Sequence, residues 1–298
     1  MWIHFSKSGD SWGGGTLNEP FIYFGRIIAD RFKAEDIQFP YGEIDICLTL
    51  PPIDENKQRK VWFNKLPHYY RGKTMIRISL PIIEQEQNLQ DVFKFIHKAF
   101  DIIISKKKKG DSYDTNKLQN ALCELERELQ ETDLWELHNK NKKLINQETI
   151  EKHKQERNTR KQSNLENKRL IRDLRLMYSF PDVELKYFSP YENIFCDNVL
   201  QKLRDRKFKL PNYDHLYIQV SDTFDNALLR SIRAEKWFVY GIAVLENYNE
   251  YPKKQEVEKK RIVFDLLKQG LMDIAIIDKL DVEILNEVLD EEEKKYFN

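Results

Sequence analysis

The stretch from Asn116 to His138 reads NKLQNALCELERELQETDLWELH, and no glycine or proline occurs between Gly110 and Pro181. Glycine and proline mark most turns, so their absence predicts long helices rather than a sheet. Leucines recur at helical spacing, at positions Leu118, Leu122, Leu125, Leu129 and Leu137. Such an amphipathic helix needs a partner surface, and we expect a helical hairpin or arm in the middle of the chain.

The sequence on each side of this middle has ordinary strand and helix signals. We therefore predict an α+β fold in three parts. An α+β domain rich in strands covers residues 1–105, and a charged helical arm or hairpin covers residues 106–179. A mainly helical domain with two short strands covers residues 180–298.

Composition limits the classes of partner. The 298 residues include 49 Lys+Arg and 49 Asp+Glu, which gives a formal net charge of +0. Proteins that bind nucleic-acid backbones usually carry a basic excess, so this balance favours a protein partner or a small ligand over nucleic acid. Aromatic residues make up 12% of the chain. Disordered chains are poor in aromatic residues, so this chain is expected to fold.

Metal-binding and membrane signals are missing from the sequence. Cys47, Cys123 and Cys196 lie far apart, and neither they nor the six histidines have the spacing of metal ligands. We therefore expect no cofactor and no disulfide framework. No run of residues approaches eighteen consecutive apolar side chains, which predicts a cytoplasmic protein that does not contact the membrane.

A half-buried strand is predicted over residues 43–50. Its apolar residues alternate with Glu43, Asp45, Cys47 and Thr49. Gly42-Glu43-Ile44-Asp45-Ile46 resembles the acidic strand of restriction-endonuclease-like nucleases, in which a carboxylate on the strand holds Mg²⁺. The Glu-x-Lys of that family is missing from the next predicted strands, Val61–Phe63 and Thr74–Leu80. We favour a solvated face for Glu43 and Asp45, with a metal site as the alternative.

The first strand, Trp2–Phe5, is followed by a glycine-rich segment that contains Gly13–Gly15. Glycines ahead of a helix, here predicted over Phe21–Phe32, can cradle phosphate. The spacing matches neither GxxxxGK[ST] nor GxGxxG. We favour a surface loop. An amphipathic helix is predicted over Leu89–Ile104 at the end of this domain.

The middle of the chain becomes polar after Ile150. Residues Glu151–Asn164 offer no apolar side, and a helix that is polar all round is either exposed or unstable. We expect a solvated arm. The wider segment Lys140–Arg172 is basic, but it lacks the interleaved aromatic residues typical of nucleic-acid binding.

The C-terminal domain is expected to open with a strand at Val183–Phe188, a helix at Tyr191–Arg206 and a strand at Tyr213–Val220. Ser221 or Asp222 then caps a long buried helix that contains the apolar residues from Ala227 through Leu245 and is ended by Pro252. The remaining helices are predicted over Glu256–Gln269, Leu271–Lys279 and Val282–Phe297.

Two surfaces are candidates for binding a partner. His68, Tyr69, Tyr70 and Arg71 form a dense polar and aromatic cluster, and tyrosine and arginine are enriched at interface hot spots. The second surface is the acidic run Asp290, Glu291, Glu292 and Glu293 in the last helix. That run could mimic nucleic-acid phosphates for a basic target, or it could serve solubility alone.

The residues of 233–243 and 260–289 resemble those of the small cytoplasmic immunity proteins that Gram-positive bacteria encode beside polymorphic toxins. The resemblance covers about the last quarter of the chain. It implies a non-enzymatic inhibitor that binds and neutralises a cognate toxin domain, often a nuclease. The alternative is a metal-dependent nuclease or a nucleic-acid-binding phage-defence protein that uses Glu43 and Asp45. A third reading is a scaffold that self-associates through residues 116–172, and the sequence leaves the oligomeric state open.

Overall fold

A computed structural model describes residues 1–8, 17–50, 64–82, 88–163, 166–180, 189–231 and 237–297. Helices and strands both contribute to the fold, which confirms the α+β class. Three segments with expectations from the sequence, Gly13–Gly15, Val61–Phe63 and Val183–Phe188, lie outside the described residues. The chain divides into an N-terminal unit, residues 1–144, and a C-terminal unit, residues 145–298.

The N-terminal unit is built on a four-stranded sheet. Along the chain its elements are β1 (Trp2–Ser8), a 3-10 helix (Phe21–Tyr23), α1 (Phe24–Ala34), β2 (Glu43–Thr49), β3 (His68–Arg71), β4 (Met75–Pro81), α2 (Leu89–Ser105), α3 (Thr115–Gln130) and the first part of α4 (Leu134–Gln162). The strand order is β1-β2-β4-β3. The first three strands are parallel, and β3 pairs antiparallel with β4.

The C-terminal unit is built on a parallel sheet with the order β6-β8-β9. After the second part of α4, its elements are β5 (Arg169–Leu170), β6 (Asp173–Tyr178), α5 (Ser189–Asp205), β7 (Lys209–Leu210), β8 (His215–Ser221), α6 (Phe224–Arg230), β9 (Phe238–Val244), a 3-10 helix (Tyr248–Lys253), α7 (Glu256–Asp278) and α8 (Val282–Phe297). Strands β5 and β7 form a separate antiparallel pair.

The two units share one topology, which the sequence analysis did not predict. Over the described residues, each has three parallel strands in chain order, a helix after the first strand, and two helices after the last, which in the N-terminal unit are followed by the start of α4. The helix after the first strand also ends in the same way in both units. Asp36 and Lys207 have φ of 51° and 55°, the left-handed conformation that commonly closes helices. The next residue, Ile37 or Phe208, then donates its backbone N–H back to the helix.

The cores of the two units use the same positions. In α1 the buried residues Phe24, Ile28 and Phe32 have the spacing of the buried residues Phe195, Val199 and Leu203 in α5. The edge-to-face pair Phe24–Phe93, with ring centroids 6.1 Å apart, recurs as Phe195–Phe264 at 5.4 Å. Each sheet therefore buries one face against equivalent helices, and the opposite face is where the units differ.

The long helix expected from Ala227 through Leu245 is wrong. Thr223, rather than Ser221 or Asp222, caps the short helix α6, with its Oγ1 accepting the N–H of Asn226. The chain then forms β9, Phe238–Val244. A parallel strand that is buried on both faces is a continuous apolar run, which periodicity cannot distinguish from a buried helix.

Two other helix boundaries differ from expectation. The helix predicted over Asn116–His138 is divided between α3 and α4, and Asp133 accepts the N–H of Trp135 at the start of α4. In contrast, α7 continues through Gly270, where we expected two helices. A Cβ at position 270 would lie 2.2 Å from the Ile218 side chain, so the glycine allows the helix to approach the sheet rather than ending it.

The polar residues predicted to form a solvated arm are instead held by the C-terminal unit. Helix α4 continues to Gln162, and Arg157 binds Asp273 through Nη2 at 2.7 and 2.6 Å from the two carboxylate oxygens. Arg160 binds the buried carboxylate of Asp278. The chain divides after residue 144, whereas we predicted boundaries after residues 105 and 179.

Candidate functional site

One face of the N-terminal sheet is covered by helices, and the other carries polar side chains. Residues paired in register point to the same face of a sheet, so the pairing defines this second face, which we call the polar sheet face. Its members on the four strands are Trp2, His4, Ser6, Glu43, Asp45, Cys47, Thr49, His68, Tyr70, Met75, Arg77 and Ser79.

Asp45 lies at the centre of the polar sheet face and is only 4% exposed. Its Oδ1 accepts the Ser6 hydroxyl at 2.8 Å, and its Oδ2 accepts Arg77 Nε at 2.6 Å. The hydrogen bond to Asp45 is the main cause of a raised pKa of the Arg77 guanidinium. The solvated face that we favoured for Asp45 is therefore corrected: this carboxylate is buried and compensated.

The two carboxylates of the nuclease alternative, Glu43 and Asp45, already have protein partners. Asp45 uses both carboxylate oxygens for Ser6 and Arg77, and Glu43 lies beside His4 with Oε1 4.0 Å from Nε2. Over the described ranges, no three His, Cys, Asp or Glu side chains converge in a group that could hold a metal ion. A nuclease metal normally needs more than one free carboxylate ligand.

The cluster from His68 to Arg71 is divided between the two faces of β3. His68 and Tyr70 belong to the polar sheet face, whereas Tyr69 and Arg71 point to the helix-covered side. Arg71 binds Asp111 with Nη1 and Nη2 at 3.1 and 2.8 Å. This contact, followed by the backbone N–H of Lys108, lowers the pKa of Asp111. Two of the four predicted contact residues therefore have no part in the polar sheet face.

The acidic run in α8 is largely balanced within its own unit. Glu292 is fully buried, with Lys202 Nζ 2.9 Å from Oε1. Glu291 also lies 2.9 Å from Lys202, and Glu293 lies 2.8 Å from Arg261. Asp290 has a weaker contact, 3.9 Å from a lysine. The run is thus a poor mimic of free phosphates, because three of its four carboxylates have close cationic partners.

The sequence analysis missed an aromatic cluster on the second face of the C-terminal sheet. We call it the aromatic surface, and it consists of Arg175, His215, Tyr217, Phe238 and Tyr240. One pattern in the sequence could have predicted this surface: aromatic residues alternate, at every second position, with Leu216, Ile218 and Val239. The predicted buried helix included Phe238 and Tyr240 but not Tyr217.

The rings of the aromatic surface lie against one another. Tyr217 stacks on Phe238 with centroids 5.7 Å apart and an interplanar angle of 23°, and Tyr240 completes a triangle at 5.8 and 5.7 Å. Arg175 lies 5.9 Å from the Tyr217 ring. Trp237, directly before β9, is 61% exposed. Tyr217 and Phe238 are half-buried and Tyr240 is buried, so the rings are only partly accessible beside the exposed Arg175.

The charges around this surface are paired but unequally exposed. Asp173 contacts Arg175 Nε at 2.7 Å, and Asp214 contacts Arg172 Nε at 3.5 Å. The two arginine side chains are 60% and 75% exposed, whereas the two carboxylates are 19% and 8% exposed. Burial, followed by the Asp173 charge, raises the pKa of Tyr217, and its hydroxyl donates to Asp173 Oδ2 at 3.4 Å.

Within the described part of the chain, no helix is both long enough and apolar enough to cross a membrane. Comparisons with protein-family models, with curated protein sequences and with solved structures found no match to this chain.

Proposed function

We propose that this protein is a non-enzymatic binding protein and that the aromatic surface of its C-terminal unit contacts a protein partner. The observation that carries the proposal is the half-buried stacked pair of Tyr217 and Phe238, with the exposed side chains of Arg175 and of Trp237, the residue before Phe238, next to it. Tryptophan, tyrosine and arginine dominate interface hot spots, and exposed apolar patches of this kind mark interaction sites.

Charge pairing favours a protein over nucleic acid at this surface. Each exposed arginine has a carboxylate within 4.0 Å, and the whole chain has a formal net charge of +0. Phosphate backbones are attracted by uncompensated cations, and that attraction falls steeply with salt. Aromatic contacts surrounded by paired charges are instead typical of a protein interface.

In its narrower form, the proposal is that the partner is a toxin domain that this protein inhibits. The resemblance to immunity proteins supports this form through the residues of α7 and α8. Residues 238–244, which we read as helical, form a strand and do not contribute to a helical resemblance. The acidic run was the contact first considered for such a target, and the aromatic surface replaces it in the proposal.

The test compares the wild-type chain with Trp237→Ala and with the combined Tyr217→Ala, Phe238→Ala variant. Trp135→Ala is the matched control, because Trp135 is 54% exposed but lies in the N-terminal unit. Each protein is used as bait in cells that make it naturally, and the captured partner is then purified for calorimetry. We expect one protein at near-equal amounts with wild type and control, and affinity at least about 30-fold weaker for the Trp237 variant.

The toxin form has its own readout. Expression of the captured partner should slow growth, and co-expression of the wild type, but not of the Trp237 variant, should restore it. Equal affinity of all variants for the partner would overturn the aromatic surface as the contact. Recovery of nucleic acid alone, with binding lost as salt is raised, would overturn the protein-partner proposal.

A further inference from the structure

The polar sheet face of the N-terminal unit differs from its counterpart in the C-terminal unit at three linked positions. When the three parallel strands of one sheet are aligned with those of the other, Ser6, Asp45 and Arg77 occupy the positions of Met177, Tyr217 and Tyr240. The same sheet thus accepts apolar and aromatic side chains at this place in one unit and holds a hydrogen-bonded ionic network in the other. The fold itself does not require the network.

A buried carboxylate is costly unless it is compensated, and here the compensation also orients an arginine. Asp45 is 4% exposed and binds Arg77 through Nε. The Arg77 side chain is 52% exposed. None of the hydrogen bonds or ion pairs of Arg77 within the described residues involves Nη1 or Nη2. A planar guanidinium fixed through Nε presents its two outer nitrogens as a fork, the geometry that binds carboxylate or phosphate oxygens in pairs.

The neighbours of this fork suit an oxyanion. Tyr70 is paired in register with Arg77, belongs to the same face, and is 52% exposed, so its hydroxyl can donate. His4 is exposed but lies across Asp45 from Arg77, beside Glu43, and is therefore not part of this group. Ser6 holds the second oxygen of Asp45, which prevents the carboxylate from turning toward the ligand.

We propose that Arg77, positioned by Asp45 and assisted by Tyr70, forms a binding site for an oxyanion, either a carboxylate or a phosphate group. The site lies in the N-terminal unit and is independent of the protein contact proposed for the aromatic surface. Arg77 is the binding residue, and Asp45 acts through it as a positioning residue. A purely structural ion pair would hold the strands together without taking up an anion.

The test is an NMR titration of the full chain with sodium phosphate and, separately, with sodium acetate at constant ionic strength. The arginine Nε–H resonance of Arg77 is assigned by its loss in Arg77→Lys. We expect this resonance to shift saturably with at least one of the two anions. Saturation with phosphate alone identifies phosphate as the ligand group, and saturation with acetate as well identifies the wider oxyanion class.

The variants separate recognition from charge. Arg77→Lys keeps the positive charge without the fork, and backbone resonances of β2 and β4 should then respond at least tenfold more weakly. Tyr70→Phe, which removes one exposed hydroxyl, should weaken binding by a smaller factor. A linear, non-saturating shift in the wild type with both anions would overturn the proposal. Equal saturation in wild type and Arg77→Lys would overturn it as well, because the anion would then be held elsewhere.

Discussion

Asp273 on helix α7 binds both Arg157 of helix α4 and the backbone N–H of Ile242 on the edge strand β9, the latter at 2.7 Å. Arg157 also donates to the carbonyl oxygen of Tyr240 on the same strand. Gln269 accepts the N–H of Val244. Side chains thus satisfy the outer backbone groups of a strand edge that would otherwise be open to another chain.

Removal of this carboxylate should destabilise the C-terminal unit. Asp273→Ala leaves the guanidinium of Arg157 and the N–H of Ile242 without their acceptor, and we expect a loss of about 2–4 kcal/mol in the free energy of unfolding. Asp273→Asn keeps an acceptor for Ile242 and should cost less. Native-state hydrogen exchange at Ile242 measures the effect in this unit alone.

The matched control for this prediction is Asp225→Ala. Asp225 on α6 pairs at 3.0 Å with Lys154, which lies on the same helix as Arg157, and the Asp225 and Lys154 side chains are 54% and 36% exposed. Exposed ion pairs contribute little, so the change should be below about 0.5 kcal/mol. Similar costs for Asp225→Ala and Asp273→Ala would show that the edge contact is not what stabilises the unit.

The approach of α7 to β9 gives a second prediction. A Cβ on Gly241 would lie 2.2 Å from the carbonyl oxygen of Gly270, and backbone atoms cannot move away as a flexible side chain would. We expect Gly241→Ala to destabilise the protein by about 2–3 kcal/mol or more, measured by urea denaturation. Gly42→Ala is the control, because its nearest atom would be 3.8 Å away. Equal tolerance of both substitutions would contradict this packing.

Comparison of β2 with β9 shows why only part of the fold could be predicted. The alternation of Ile44 and Ile46 with polar residues predicted a half-buried strand, and the structure confirms the strand but also buries most of its polar side chains. In β9 both faces are covered over most of the strand, so the run from Phe238 to Val244 had no period to detect. The repeated spacing of buried residues in α1 and α5 was present in the sequence but was recognised only with the structure.

The candidate sites were harder to predict because their partners are distant along the chain. Asp45 was identified as a residue of interest, but its environment depends on Arg77 across the sheet. The helix around Arg157 appeared to have no side to bury because its partner, Asp273, lies on another helix more than a hundred residues away. Charge partners separated in this way leave no local pattern in the sequence.

The internal repeat predicts the effect of replacing a buried acid. Glu292 is fully buried in α8 at the position that Leu125 occupies in α3, where the same helix face packs on the core. Replacing a buried ion pair by an apolar residue is often neutral or stabilising, and Glu291 remains as a partner for Lys202. We expect Glu292→Leu to raise the stability by about 1 kcal/mol.

Thermal unfolding checks this prediction, with Leu125→Glu as the reciprocal variant. The reciprocal change places an uncompensated carboxylate in the N-terminal core and should cost about 3 kcal/mol or more. A clear loss of stability in Glu292→Leu would mean that the contact between Glu292 and Lys202 is net favourable and that the two units have different requirements at this position.

The contact between Arg71 and Asp111 predicts how stability changes with pH. The pKa of Asp111 is lowered in the folded protein, so the unfolded chain binds the proton more readily. The stabilisation is therefore complete above the ordinary carboxyl pKa of about 4 and is lost as the pH falls through the lower folded value. Asp111→Asn should be less stable than the wild type at pH 7, and the difference should shrink on acidification below about pH 4.

Urea denaturation from pH 7 to pH 2.5 measures the difference, and Arg71→Lys, which keeps one charge but loses the paired hydrogen bonds, should show a smaller pH-dependent loss. A difference that stays constant across this range would mean that Asp111 stabilises the fold through its backbone contact alone and not through its charge.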